Sequence, residues 1–241
     1  LVAAAGADVG EVEVWRRPRV TILGTGDELE EPGHAHLWPG SIPESVTFGV
    51  AALAEQTGAE VVARRRLKHE PEALTRAAAE AHSASDLIIM TGGASVGEKD
   101  FAKGVFASLG LELIFSKVAI KPGKPVWLGR AGERVVLGLP GNPTSAMVTA
   151  RLLLAPLVAG LVGRDPAGAV AWRTASLAQP LAECGDRETF VRARWADAGV
   201  RPLTNQESGA QRTLAEAELL IRRRSGAPPA EAGEMVDIID F

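Results

Sequence analysis

Apolar residues gather along this chain in short runs, separated by polar and often glycine-bearing stretches. Arg19 to Gly24, RVTILG, is a brief unbroken run of the kind that a parallel strand buried on both faces requires. Glu60 to Leu67, EVVARRRL, and Asp86 to Gly93, DLIIMTGG, predict two more strands, the second being the most strand-like segment of the chain. The segments between them read as helices. Glu44 to Gly58 carries apolar residues at Val46, Val50, Leu53 and Ala54 and stops at a glycine. Glu70 to Ser85 has Pro71 in its first turn, where a missing N–H is harmless, and an alanine-rich body. A helix from Phe101 to Leu109 follows, then strands near Leu111 to Val118, Val126 to Leu128 and Val135 to Leu137, and a long helix from Asn142 to Gly163.

Strand and helix alternate with short loops, which predicts an α/β fold: a mostly parallel sheet with helices on both faces. After Pro166 the texture changes to short alternations with no long helix, so Ala169 to Phe241 reads as a small β-rich domain. The expected division is a linker over residues 1–17, an α/β domain over 18–165 and a C-terminal β domain over 166–241. The Ala/Gly-rich opening from Leu1, LVAAAGADVG, looks like a joint inside a longer protein.

Composition narrows the function classes. A net charge of −4 over 241 residues gives no overall basic field for nucleic acid. One cysteine, Cys184, excludes an internal disulfide and a cysteine-only metal cluster. No signal peptide and no apolar stretch of membrane-spanning length are read from the sequence, so a cytoplasmic protein without a membrane partner is expected.

In an open parallel sheet, ligands bind outside the carboxyl ends of the strands. Three loops fall there: Gly24 to Gly33 (GTGDELEEPG), Thr91 to Asp100 (TGGASVGEKD) and Gly138 to Ala146 (GLPGNPTSA). Paired glycines let main-chain amides approach an oxyanion closely. None of the loops is a Walker A loop or a dinucleotide fingerprint. Asp27, Glu28 and Asp100 bring carboxylates to the same edge, and carboxylates beside phosphate commonly share a magnesium ion. Lys117, Lys121 and Lys124 lie beside the rigid Pro122 and Pro125, which suits a fixed anion contact. His34, His36, His69 and His82 lack zinc-site spacing, and Ser95, Ser145 and Ser208 belong to no recognisable triad.

TGDEL, TGGASVGEKD, KVAIKPGKP and GLPGNPTSA, in that order, resemble the molybdopterin molybdenumtransferase family, which comprises MoeA and the E domain of gephyrin. The later RETFVRAR, QESGAQRTLAEAE and GEMVDII resemble that family's C-terminal β domain, so the likeness covers nearly the whole chain. It implies insertion of molybdate into adenylylated molybdopterin with release of AMP, magnesium as the metal, and a homodimer. Molybdopterin adenylyltransferase is a candidate partner. By resemblance, Glu28 and Asp100 form the acidic, metal-associated part of the site, and Lys117 and Lys121 its basic pair. Thr25, Gly26 and Asp27, with Gly92, Gly93, Ser95 and Gly97, would cradle the pterin nucleotide beside Lys124. Pro140, Gly141, Asn142 and Pro143 form the rigid turn, and Arg187 or Arg192, with Ser208, the polar positions contributed by the β domain.

Two positions depart from the family pattern. Val46 stands where an asparagine is usual, and His69 where an aspartate opens the second helix, a change from an acceptor-only anion to a neutral or cationic ring. These leave two other readings open: a non-catalytic paralogue that binds molybdopterin or molybdate, and an adenylyltransferase of the related small molybdopterin-binding family.

Overall fold

Arg19–Thr25 (β1) is buried from its second residue to its last, because it is an inner strand of a sheet covered on both faces. The computed structural model describes residues 1–93 and 101–241. A five-residue helix, Val2–Gly6 (α1), buries nothing. After β1 come two short strands, Leu29–Glu30 (β2) and Ile42–Pro43 (β3), which pair with each other. The helix Val46–Gln56 (α2), strand Glu60–Leu67 (β4), helix Pro71–Ala84 (α3) and strand Leu87–Thr91 (β5) follow the sequence reading to within two residues at each end. Phe101–Ala107 (α4) leads to Leu111–Phe115 (β6), Ile120–Lys121 (β7), Trp127–Ala131 (β8) and Arg134–Leu139 (β9).

The first sheet has the order β4-β1-β5-β9-β8-β6. Its first four strands are parallel. β8 and β6 run antiparallel to their neighbours, because only Gly132 and Glu133 separate β8 from β9, far too short for a crossover. Gly132 takes φ +58° to make that hairpin. The arginines of β4 sit on an edge strand, where charge discourages further pairing.

One face of the sheet is covered by α2 and by a long helical segment built from Pro143–Thr149 (α5), a π-helical turn Ala150–Leu154 and Ala155–Leu161 (α6). Val46, Val50 and Ala54 of α2 pack there against Ile22, Leu137 and Leu154. On the other face, Leu74, Ala77, Ala78 and Ala81 of α3 meet Phe106, Ile88 and Trp127. The indole of Trp127 lies over Gly138, where a Cβ would stand 1.9 Å from the ring. The span Pro143–Leu161 is 19 residues long and apolar enough to cross a membrane by length and composition, which corrects the expectation that no such stretch exists. Here it is a core helix, with Ala146, Ala150, Leu154 and Val158 buried against the sheet.

The remaining strands are Arg173–Ser176 (β10), Glu188–Ala196 (β11), Gly199–Pro202 (β12), Leu219–Arg223 (β13) and Met235–Asp240 (β14), with one short helix, Gln211–Glu216 (α7). They form an antiparallel sheet ordered β10-β14-β13-β11-β12. β7 adds to it from outside, pairing Ile120 with Glu188 and Lys121 with Thr189 in parallel. Ile120 and Val148 pack with Phe190, Leu220 and Ile239 in a small core that joins the two sheets.

Candidate functional site

The carboxyl ends of β1, β5 and β9 come together at one edge. Thr25 closes β1, and its hydroxyl donates to the main-chain oxygen of Thr91 at the end of β5, 3.1 Å away. Gly26 continues by donating its N–H to Leu67 O at 3.2 Å. Gly92 follows at φ +88°, and a Cβ there would stand 2.2 Å from Thr25 O, so no other residue fits without displacing one turn. A Cβ on Gly141, in the third turn, would come 3.3 Å from the Cα of Gly92. The three turns are thus in direct contact. Thr25, Asp27, Glu28, Gly92, Gly93 and the turn from Pro140 to Pro143 line one cavity of about 780 Å³.

The acidic residues of this chamber are of two kinds. Asp27 accepts a hydrogen bond from the main-chain N–H of His69 at 2.8 Å and faces the ring Nδ1 at 3.3 Å. The main-chain bond from His69, ahead of the charge of its ring, holds the Asp27 carboxyl below the usual carboxylate range, against a smaller opposing effect of burial. Glu28 is exposed on the cavity wall. Glu44, which the sequence reading did not single out as a site residue, also lines the cavity but is 1% exposed. Its carboxylate accepts from the N–H and hydroxyl of Thr47 and from Arg64, so it caps the first turn of α2. Val46, the first residue of α2, is 8% exposed and belongs to the core as much as to the cavity.

A second chamber of about 1010 Å³ adjoins the first, and Pro125 and Gly209 line both. Its walls are Lys121, Lys124, Arg187 and the loop from Thr204 to Ser208. Asn142, the residue preceding α5, donates its amide to the Ser208 hydroxyl at 3.3 Å, tying the third turn of the first sheet to this loop of the second. Among the described residues, those lining the first chamber include Asp27, Glu28, Glu44 and His69 but no lysine or arginine. Those lining the second set three cations against the single carboxylate of Glu207. The site is therefore two neighbouring rooms of opposite charge.

This arrangement revises the expected groupings. Lys121 shares its chamber with Lys124, whereas Lys117 is exposed and lines neither room. Of the two arginines, Arg187 lines the basic chamber. Arg192 is fully buried and acts from behind it: its Nε donates to Gln206 Oε1 at 3.2 Å and its Nη1 to Glu207 O at 3.0 Å, shaping the loop. Burial pushes the pKa of that guanidinium down. Ser95, Gly97 and Asp100 lie outside the described residues. Gly209 and Gln211 line the first chamber and Ser145 and Gln206 the second; all four lie in segments that stood out in the sequence, although none was named there as a site residue.

This α/β platform with a β unit leaning over its strand ends matches two protein-family models: a probable molybdopterin binding domain over residues 21–160, and the MoeA C-terminal region (domain IV) over residues 174–241. The chain belongs to the MoeA family. It is 42% identical over 164 residues to the molybdopterin molybdenumtransferase of Haemophilus influenzae, covering 68% of this chain and 40% of that one. It is 30% identical over 233 residues to that of Staphylococcus aureus, covering 95% of this chain and 55% of the relative. The molybdopterin biosynthesis MoeA protein of a Pyrococcus species superposes with a TM-score of 0.83 at 27% identity, covering 99% of this chain and 58% of that one. The chain thus spans about half the length of the curated relatives it matches.

Proposed function

We propose that this chain carries the catalytic platform of a molybdopterin molybdenumtransferase, in which molybdate is inserted into adenylylated molybdopterin and AMP is released. The observation that carries the reading is the shared wall between an acidic, glycine-lined chamber and a basic one. Molybdate is a tetrahedral dianion, and Lys121, Lys124 and Arg187 offer it compact and forked donors in one room. The pterin nucleotide would occupy the other, its phosphate against the main chain of Gly92 and Gly93 and near the start of α5. The two reactants then meet across Pro125 and Gly209, so most of the rate comes from positioning and from fixed charge rather than from a covalent enzyme intermediate.

Magnesium fits the donors of the acidic chamber. That ion takes one or two carboxylates and completes its shell with water and substrate phosphate. Glu28 would hold it, with Asp27 already engaged by His69. When bound, the ion offsets negative charge at the departing phosphate. A dimer and a cytosolic setting belong to the same proposal.

The test is calorimetry of the purified chain with adenylylated molybdopterin and magnesium, with and without molybdate, followed by assay of free AMP. Binding with molybdate-dependent AMP release is the expected result. Binding without release would make the chain a pterin binder, and absence of binding would end the reading.

A further inference from the structure

A third cavity, of about 430 Å³, opens behind the basic chamber inside the C-terminal unit. The two are contiguous through Lys121, Pro122, Arg187, Thr204 and Gln206, which line both. Beyond those shared residues its lining includes Cys184, Thr189 and Arg223. Arg223 is 8% exposed. Its Nη2 donates to the main-chain oxygens of Pro228 and Ala182, and its Nε has no hydrogen-bond partner among the described residues. No carboxylate pairs with it among those residues. A buried guanidinium left in this condition is costly, and an anion in the adjoining space offsets the cost. The acidic residues that also line the cavity stand at its rim: Glu183 is exposed, and the Asp186 side chain is 96% exposed, 3.9 Å from Arg187 Nε. The interior thus keeps a positive balance from Lys121, Arg187 and Arg223.

We infer that this cavity is a holding site for a small tetrahedral oxyanion, one room upstream of the chamber in which that oxyanion reacts. The inference rests on the assignment of the basic chamber to molybdate. Arg187 and Lys121, which line both rooms, form the passage. An anion held by Arg223 then reaches Lys124 through the residues that the two rooms share.

The chain supplies its own reporter. Cys184 is the single cysteine of the sequence, half-buried on the wall of this cavity, with its Sγ 3.2 Å from Arg187 O and 3.5 Å from Arg223 O. The experiment follows alkylation of Cys184 by iodoacetamide, a small neutral reagent, in the presence and absence of molybdate. Molybdate is expected to slow the reaction at least about fivefold. The protection should persist in Lys124→Ala, which strips a cation from the basic chamber alone, and disappear in Arg223→Met. Calorimetry should count two molybdate sites in the parent, one in Arg223→Met, and in Lys124→Ala two sites of which one is weakened about tenfold or more. An unchanged alkylation rate while calorimetry shows the basic chamber filled would overturn the inference, as would protection that vanishes in Lys124→Ala. If Arg223→Met does not fold, the parent and Lys124→Ala still decide. Absence of molybdate binding altogether would instead remove the assignment of the basic chamber, so the two failures are distinguishable.

Discussion

His69 reaches Asp27 twice, through its main-chain N–H at 2.8 Å and its ring Nδ1 at 3.3 Å, although 42 residues separate them. The contact joins the segment ahead of α3 to the turn after β1 and fixes the mouth of the acidic chamber. It also makes Asp27 more acidic than a free aspartate. A carboxyl depressed in the folded state stabilises the fold above its unfolded pKa of about 3.9, and that contribution is lost as pH falls through the lower folded value. Urea unfolding at pH 7 and pH 3 should therefore show a smaller loss of stability in Asp27→Asn than in the parent. Equal losses would mean that the pair does nothing for the folded state.

The glycines of the site divide into those the geometry demands and those it does not. Gly92→Ala places a methyl group against Thr25 O in a left-handed conformation, so it should cost about 1–3 kcal/mol and displace the turn. Gly104→Ala, on the exposed face of α4 with nothing within 4 Å, should stabilise by about 0.5–1 kcal/mol. Chemical denaturation of the two variants side by side checks both signs.

Among the lysines, Lys124 lines the basic chamber and Lys117 does not. Losing one charge-assisted contact costs about 1.5–3 kcal/mol, so molybdate affinity in Lys124→Ala should fall about tenfold or more. Lys117→Ala should bind as the parent does. Titration calorimetry at fixed ionic strength separates them, and equal losses would point to a diffuse field rather than a built site.

Arg192 shapes the chamber from behind. It is wholly buried, and Gln206 returns its contact by donating to Arg192 O at 3.0 Å and Leu203 O at 2.7 Å. Arg192→Ala should cost about 3 kcal/mol, because it leaves a cavity in place of a wholly buried side chain and takes the donor from the carbonyl of Glu207, while Gln206 keeps its main-chain partners. Hydrogen exchange should quicken over residues 203–209 before it does in β11. Uniform exchange across both would show that the arginine supports the strand and not the loop.

Much of this architecture is legible in the sequence, for reasons that also explain what is not. β1 and β5 stand out because a strand covered on both faces must be apolar throughout. α3 stands out because Leu74, Ala77, Ala78 and Ala81 recur at helical spacing. The glycine turns are legible because each follows a strand. The partition of charge between two rooms is not. It depends on Arg187 and residues 204–208 approaching Lys121 and Lys124 from more than sixty positions further along the chain, and neither periodicity nor spacing encodes that contact. The structural duty of Arg192 is hidden for the same reason: its type and position suit a ligand contact, and its burial and its bonds to Gln206 and Glu207 appear only in the fold.

The two-residue strand β7 has a consequence for how this protein can be taken apart. Ile120 and Lys121 are encoded among the strands of the first sheet, yet they bond to Glu188 and Thr189 of the second, and Glu188 N–H donates to Ala119 O at 3.0 Å. Position along the chain and mechanical allegiance therefore part company at the lysine turn. A genetic exchange cut near residue 166 would hand over a β unit stripped of the turn that answers to it, and would leave that turn facing a stranger. What is inherited together here is not a domain but a handshake.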